Sequence, residues 1–184
     1  MSFSRFLFLC WCCFLVSFTG IYVANWKYVS KDARVKFFVK EANGEEAGVF
    51  TGLTGSAVFD PNQPEAAKIT AEIDVNTINT GIEMRDESLR SKDFFETAKY
   101  PRIRFVSDKV EKTDSGFLAT GKLTIKKTTR EQTIPFRFLP NAETGKQEFS
   151  GGFTINRIDF GVGSKDDGVG TQVRVELQIP VVKE

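Results

Sequence analysis

The chain has 184 residues, enough for one domain with a substantial core. Lys+Arg is 25 against 24 Asp+Glu, a net charge of +1, so the basic excess expected of a nucleic-acid binder is missing. Histidine is absent, which removes the commonest general base and the commonest metal ligand, and the 18 phenylalanines need burial or a ligand to cover them.

Arg5 opens an apolar run from Phe6 to Val16, continued past Ser17 by Phe18. The run is shorter than the roughly 20 residues that span a bilayer, and a charged start followed by a short apolar stretch is the layout of a secretory signal. Residues 1–24 therefore read as a signal peptide. An uncleaved N-terminal hydrophobic anchor is the alternative, because Thr19 to Ala24 would extend the run to bilayer length. Cys10, Cys12 and Cys13 all lie inside it and read as apolar residues of that segment; a four-ligand zinc site needs more ligands at workable spacing. No metal is expected. A domain over residues 25–184 then contains no cysteine and holds together by burial alone.

Trp26 and Tyr28 open that domain. Val35, Phe37 and Val39 alternate with Arg34, Lys36 and Lys40, the period-two pattern of a half-buried strand. Glu41 to Gly48 reads as a polar turn around Asn43-Gly44. Val49 to Val58 is strand-like but interrupted at Gly52 and Gly55, where bends or bulges are expected. Ile69, Ala71, Ile73 and Val75 alternate with Thr70, Glu72, Asp74 and Asn76. The pattern then breaks. Thr80 stands three residues before Glu83, a capping-box spacing that predicts a helix start, and Ile82 and Leu89 share one side of it. Asp93-Phe94-Phe95 follows, and Pro101 ends the excursion before Ile103 and Phe105 resume alternation.

Farther on, Phe117, Ala119, Gly121, Leu123 and Ile125 form one row, with a basic turn at Lys126 to Arg130. Ile134, Phe136 and Phe138 form the next. Pro135 on its opposite face cannot donate a ladder bond, which predicts an edge or a bulge. Phe149, Gly151, Phe153 and Ile155 alternate. The glycine- and aspartate-rich stretch Gly161 to Gly170 reads as a mobile loop. Val173, Val175, Leu177 and Ile179 complete the set. Eight or nine short alternating strands with little helix predict an all-β fold. The expected form is an antiparallel β-barrel of about eight strands with one short helical excursion between central strands. A barrel of that size is either filled by side chains or holds one small ligand.

The segment Ile78-Asn79-Thr80-Gly81, Arg85-Asp86, Leu89-Arg90, Asp93-Phe94-Phe95, Tyr100-Pro101 and Phe105 resembles, in order and spacing, the signature of the YceI-like family. The likeness continues through Gly55 to Asp60, Gly121 to Ile125 with Thr129, Ile155-Asn156-Arg157, Asp159-Phe160-Gly161 and Val173. It covers the chain from about Trp26 onward. The resemblance implies a lipocalin-like barrel in a bacterial envelope protein that binds polyisoprenoid lipids. Three positions depart from the family pattern: Asp32-Ala33 stand where His-Ser is usual, Glu41 where a histidine is frequent, and Lys127 where a turn glycine sits.

The expected function is non-catalytic binding, transport or sequestration of a long-chain apolar lipid, a polyisoprenoid or an isoprenoid quinone, in the barrel interior. The alternative is an envelope interaction module with a packed core. Phe37, Val39, Ile73, Val75, Phe94, Phe95, Ile103, Phe105, Leu123, Ile125, Phe136, Phe153 and Ile155 are the expected lining. Small residues at Ala71, Ala119, Gly121 and Gly151 either leave room for a chain or let walls pack closely. Ile82, Leu89, Phe94 and Phe95 are expected to form a lid. Arg85, Asp86, Asn156 and Arg157 either hold a head group or serve the structure. No catalytic residues are expected: the nucleophile-elbow and phosphate-loop motifs are missing. No cofactor is expected beyond a bound isoprenoid lipid or quinone. The location implied is periplasmic or secreted, with membrane association and oligomerisation left open.

Overall fold

The computed structural model describes residues 24–41, 44–140 and 146–184; the N-terminal apolar segment and most of the turn after Pro140 lie outside them. Eleven strands are present among the described residues: β1 (Asn25–Tyr28), β2 (Arg34–Glu41), β3 (Gly44–Phe50), β4 (Leu53–Val58), β5 (Lys68–Asp74), β6 (Ile78–Asn79), β7 (Arg102–Thr113), β8 (Gly116–Ile125), β9 (Thr128–Pro140), β10 (Gln147–Asn156) and β11 (Val169–Lys183). One α-helix, α1 (Glu83–Arg90), interrupts them.

The strands make eight antiparallel staves. β1 and β2 are two parts of one stave, β3 and β4 of the next, and β5 runs on through a 3-10 turn into β6, which pairs with β3. From there each stave pairs with the next in the chain, β5 with β7 through β10 with β11. β11 closes the ring by pairing along its other edge, first with β2 and then with β1 at Tyr28↔Val181. Closure leaves the sheet without a free edge, so the inward rows of all eight staves face one interior.

Several local expectations change. Gly44 to Gly48 is already strand, paired with β2 from Glu41↔Gly44 to Phe37↔Gly48. β9 is a wall strand, not an edge: Leu118↔Pro135 pairs it with β8. Its ladder to β10, however, begins only at Phe136↔Gly151, and Pro135, with no N–H to offer, stands where that pairing stops. The predicted capping box is displaced as well. Ile82 is the N-cap of α1 and makes no side-chain cap bond. Thr80 instead turns to Asp86, whose Oδ1 accepts from the Thr80 N–H at 2.8 Å and from its hydroxyl at 2.6 Å.

The inward residues divide the interior into two unlike parts. At the end formed by β1 and β4, Phe59 is fully buried, its ring 5.0 Å from Phe117, 5.6 Å from Phe136, 5.2 Å from Phe138 and 5.5 Å from Phe149, centre to centre. Trp26 joins edge-on to Phe138 at 5.0 Å and donates its indole N–H to the Phe59 carbonyl at 2.9 Å. Such edge-to-face pairs contribute about 1 kcal/mol each beyond area burial. Nearer α1 the ring contacts among the described residues are fewer, Phe50 lying 5.4 Å from Phe37 and 6.0 Å from Phe95, centre to centre.

Candidate functional site

Between the aromatic end and α1 the barrel contains two adjoining cavities, of about 90 and 120 Å³. Val35, Ile73 and Ile103 line both, so the two meet at that waist. The deeper cavity lies against the rings of Phe136 and Phe149 and takes its walls from Ile69, Ala71, Phe105, Ala119, Leu123, Ile134, Phe153, Leu177 and Ile179. Its one hydroxyl, on Tyr28, is spent: it donates to the Ser56 carbonyl at 3.2 Å, and burial pushes its pKa well above the ordinary tyrosine value. The outer cavity is lined by Phe37, Val39, Phe50, Ile125, Ile155, Val173 and Val175, and is closed over by Leu89, Phe94, Phe95 and Val162. Inward residues such as Ala71, Ile73, Phe153 and Leu177 pack against the core yet are only half-buried, as expected of side chains facing unfilled space.

Of the residues singled out from the sequence, Ile73, Ile103, Phe105, Leu123, Phe136 and Phe153 line the deeper cavity. Phe37, Val39, Phe94, Phe95, Ile125 and Ile155 line the outer one, together with Ile73 and Ile103 again. Val75 lines neither. β5 ends at Asp74 and Val75 begins a 3-10 turn, so the strict alternation does not carry it to the cavity wall, although it is buried. Ile82 does not join the lid; it is 52% exposed. Gly121 and Gly151 leave no room for a ligand, because a β-carbon on either would run into the backbone of the adjoining strand, at Val106 and Pro135 respectively. Ala71 and Ala119, by contrast, do line the deeper cavity.

The four polar residues hold the cap together. Arg157 is buried and aims its guanidinium at one loop, Gly161 to Gly170. It donates to the carbonyls of Val162 (2.8 Å), Ser164 (3.0 Å), Val169 (2.7 Å) and Gly170 (2.9 Å), and forks onto both oxygens of Asp167 at 2.6 and 2.9 Å. That bidentate pairing is the strong form of a charged hydrogen bond. Burial alone would raise the Asp167 carboxyl. The guanidinium and the N–H groups of Ser164 and Val169 outweigh it and hold the carboxyl below its ordinary value. The loop that reads as mobile from its glycines is therefore tied down at six points by one side chain. Asn156 caps the turn before it, accepting from the Ile158 N–H. Arg85 donates to Thr80 and to Glu46 at 2.6 Å, clamping α1 to β3.

One contact has no counterpart in the sequence reading. Lys126, in the β8–β9 turn with a left-handed φ of 51°, donates to the Phe94 carbonyl at 2.6 Å and to the Gly161 carbonyl at 2.9 Å. With the Gly163 N–H donating to the Asp93 carbonyl at 3.1 Å, this joins the two loops that roof the outer cavity. Among the described residues no group of three or more His, Cys, Asp or Glu is placed to hold a metal ion, and no helix is long and apolar enough to cross a membrane.

The family model of the YceI-like domain matches residues 26–181. A UPF0312 protein of Yersinia enterocolitica is 31% identical over 109 residues, 59% of this chain and 57% of that protein. One from Photorhabdus laumondii is 37% identical over 83 residues, 45% and 43% of the two chains. The matches span about half the length of these curated relatives. Among solved structures, Burkholderia cenocepacia BcnA superposes with a TM-score of 0.76 at 27% identity, over 84% of this chain and 99% of its own. A Campylobacter jejuni YceI protein gives 0.64 at 26%, over 74% and 84%. A polyisoprenoid binding domain from Saccharophagus degradans gives 0.64 at 14%, over 89% and 100%, a likeness of fold alone.

Proposed function

The chain belongs to the YceI-like domain family, and from that premise we propose that it carries or sequesters an apolar lipid, a polyisoprenoid or an isoprenoid quinone, without chemical change, in the bacterial cell envelope. The observation that carries this reading is the pair of joined cavities. Every side chain on them is apolar except Tyr28 and Arg157, whose donors are bonded to the protein itself. A tail placed there meets no polar group that must be satisfied, and each buried methylene contributes about 0.8 kcal/mol. A polar head group would be costly beside the aromatic end, where nothing could hydrogen-bond it. The tail therefore enters first, and the head group rests at the α1 end, near Lys126. The Saccharophagus degradans neighbour, named as a polyisoprenoid binding domain, lends the ligand class its support. The periplasmic or secreted location rests on the apolar segment within residues 1–24.

The test is native mass spectrometry of the purified chain, followed by reloading of delipidated protein with an isoprenoid quinone. One apolar lipid per domain, regained on reloading, is the expected result. A chain that carries no lipid and takes up none would leave the interaction module, with its filled aromatic end, as the better reading.

A further inference from the structure

We propose that the seam between β9 and β10 is a strand-addition site, where β9 takes up an extended segment of a partner protein. The site lies outside the cavities and does not depend on the carrier reading. The ring is closed at every stave, yet these two strands part within the wall. Their ladder runs from Pro140↔Gln147 to Phe136↔Gly151 and stops, while β9 reaches back to Thr128 and β10 on to Asn156. On its other side β9 stays paired with β8 throughout residues 128–136. Where the ladder is missing, a cleft of about 560 Å³ lies between the strands, with residues 129–132 on one bank, 154–156 on the other and the 3-10 turn Arg157–Phe160 at its head.

Along a strand the N–H and C=O groups turn alternately to the two neighbours. The Phe136 carbonyl lies against Gly116 on β8, and the Pro135 carbonyl against Gly151 on β10. Thr133 and Glu131, in step with Pro135, therefore present their backbone groups to the cleft, where no strand meets them. The Thr133 carbonyl accepts from the Gln132 side chain at 2.9 Å in place of a ladder partner. No residue from 128 to 133 is apolar, so the stretch stands in water on both faces. An open edge of this kind pairs with an extended chain, whose main-chain bonds supply the affinity. Charge sets the partner. Glu131 is exposed, and Lys122, opposite it on β8, pairs with Asp108 at 3.8 Å instead. A basic residue opposite Glu131 on the incoming strand fits, whereas a second copy of β9 does not. Antiparallel self-pairing centred on Glu131 sets that carboxylate against itself, and centred on Arg130 it opposes two guanidinium groups. Centred on Gln132, it puts Pro135, which has no N–H, at a bonding position opposite Thr129.

The experiment titrates the full chain with the peptide Ser-Thr-Val-Lys-Val-Thr-Ser, whose lysine falls opposite Glu131, and follows backbone amide exchange by NMR. With the peptide at about ten times its Kd, the amides of Glu131 and Thr133 should exchange about tenfold more slowly. Those of Arg130 and Gln132, which face β8, should not change. Thr133→Pro removes a donor aimed at the cleft without touching a bond to β8, and should weaken binding on the order of tenfold. Glu131→Lys should weaken binding about fivefold and shift the preference to the peptide with glutamate in place of lysine. This charge reversal keeps the test decisive if the proline variant fails to fold. A peptide that leaves the two amides unchanged, binding that survives Thr133→Pro in a folded chain, or a charge preference that Glu131→Lys does not reverse overturns the site. So does a chain that pairs with itself through β9 when no peptide is present. The carrier reading stands in every case.

Discussion

The two ends of this barrel are closed by opposite means. Around Phe59 six further aromatic rings from four staves fill the interior, and the closure is nearly all ring against ring. At the α1 end the described rings are fewer, Phe50 against Phe37 and Phe95, and they line a cavity rather than fill it. Polar side chains reach across loops instead: Arg157 to Asp167, Lys126 to two carbonyls, Arg85 to Glu46. Apolar packing is non-directional, and water offers it no replacement partner. Hydrogen bonds to partly exposed loops are individually worth about 1 kcal/mol and can be exchanged for water. The difference places rigidity at the floor and leaves the roof as the part that can open.

Three perturbations sharpen that contrast, in descending size. Phe59→Ala removes a fully buried ring and should cost about 4 kcal/mol, a fall in Tm of roughly 12 °C for a domain of this length. Urea unfolding measures it, and a loss below about 1 kcal/mol would mean the rings are not the structural base. Arg157→Met strands Asp167 and four carbonyls, and should cost about 3 kcal/mol. Its mark is local: amide exchange should rise across Gly161 to Gly170 while Phe117 and Phe149 stay protected. Uniform acceleration would erase the distinction between the ends. Acid should give the smallest effect. The Asp167 carboxyl titrates lower in the folded chain than in the unfolded one, so its ionised form stabilises the fold above the ordinary carboxylate value of about 4. That contribution is lost as pH falls from there through the folded value. The amide signals of Ser164 and Val169 should shift over that range before those of the aromatic end. Simultaneous shifts at both ends would contradict a separately held roof.

What could be read from the sequence followed one rule, period two. The rows through Phe37, Ile103, Leu123, Phe153 and Val175 point inward as their spacing says, and the family likeness pointed to the barrel they enclose. The same rule cannot tell filled from hollow, because Phe136 on the floor and Phe153 on the wall occupy equivalent places in their strands. Phe149, Ile134 and Ile179 stood in the right rows but had nothing to mark them as cavity residues. The rule also overran its limits at Val75, one residue past the strand. Polar contacts were the least legible. Thr80 and Glu83 have the spacing of a capping box, yet the folded chain puts Asp86 against Thr80 instead. Lys126 and Phe94 are 32 residues apart and meet only because two loops share one roof. Gly121 and Gly151, open to either room for a chain or close packing of walls, are sites of close strand approach.

The ring is closed by β11, along β2 and then along β1. Trp26 lies opposite Lys183, Tyr28 opposite Val181, and the Glu184 N–H donates to the Asn25 carbonyl at 3.0 Å. The domain thus begins and finishes side by side, at the floor, with Ala24 accepting from the Phe59 N–H at 2.9 Å. Anything tethered ahead of Asn25, whether a bilayer segment or a bead in an experiment, holds the molecule by its base and turns α1 and its loops outward. For the same reason a short linker from Glu184 to Asn25 would allow new termini to be cut elsewhere in the wall without losing a stave.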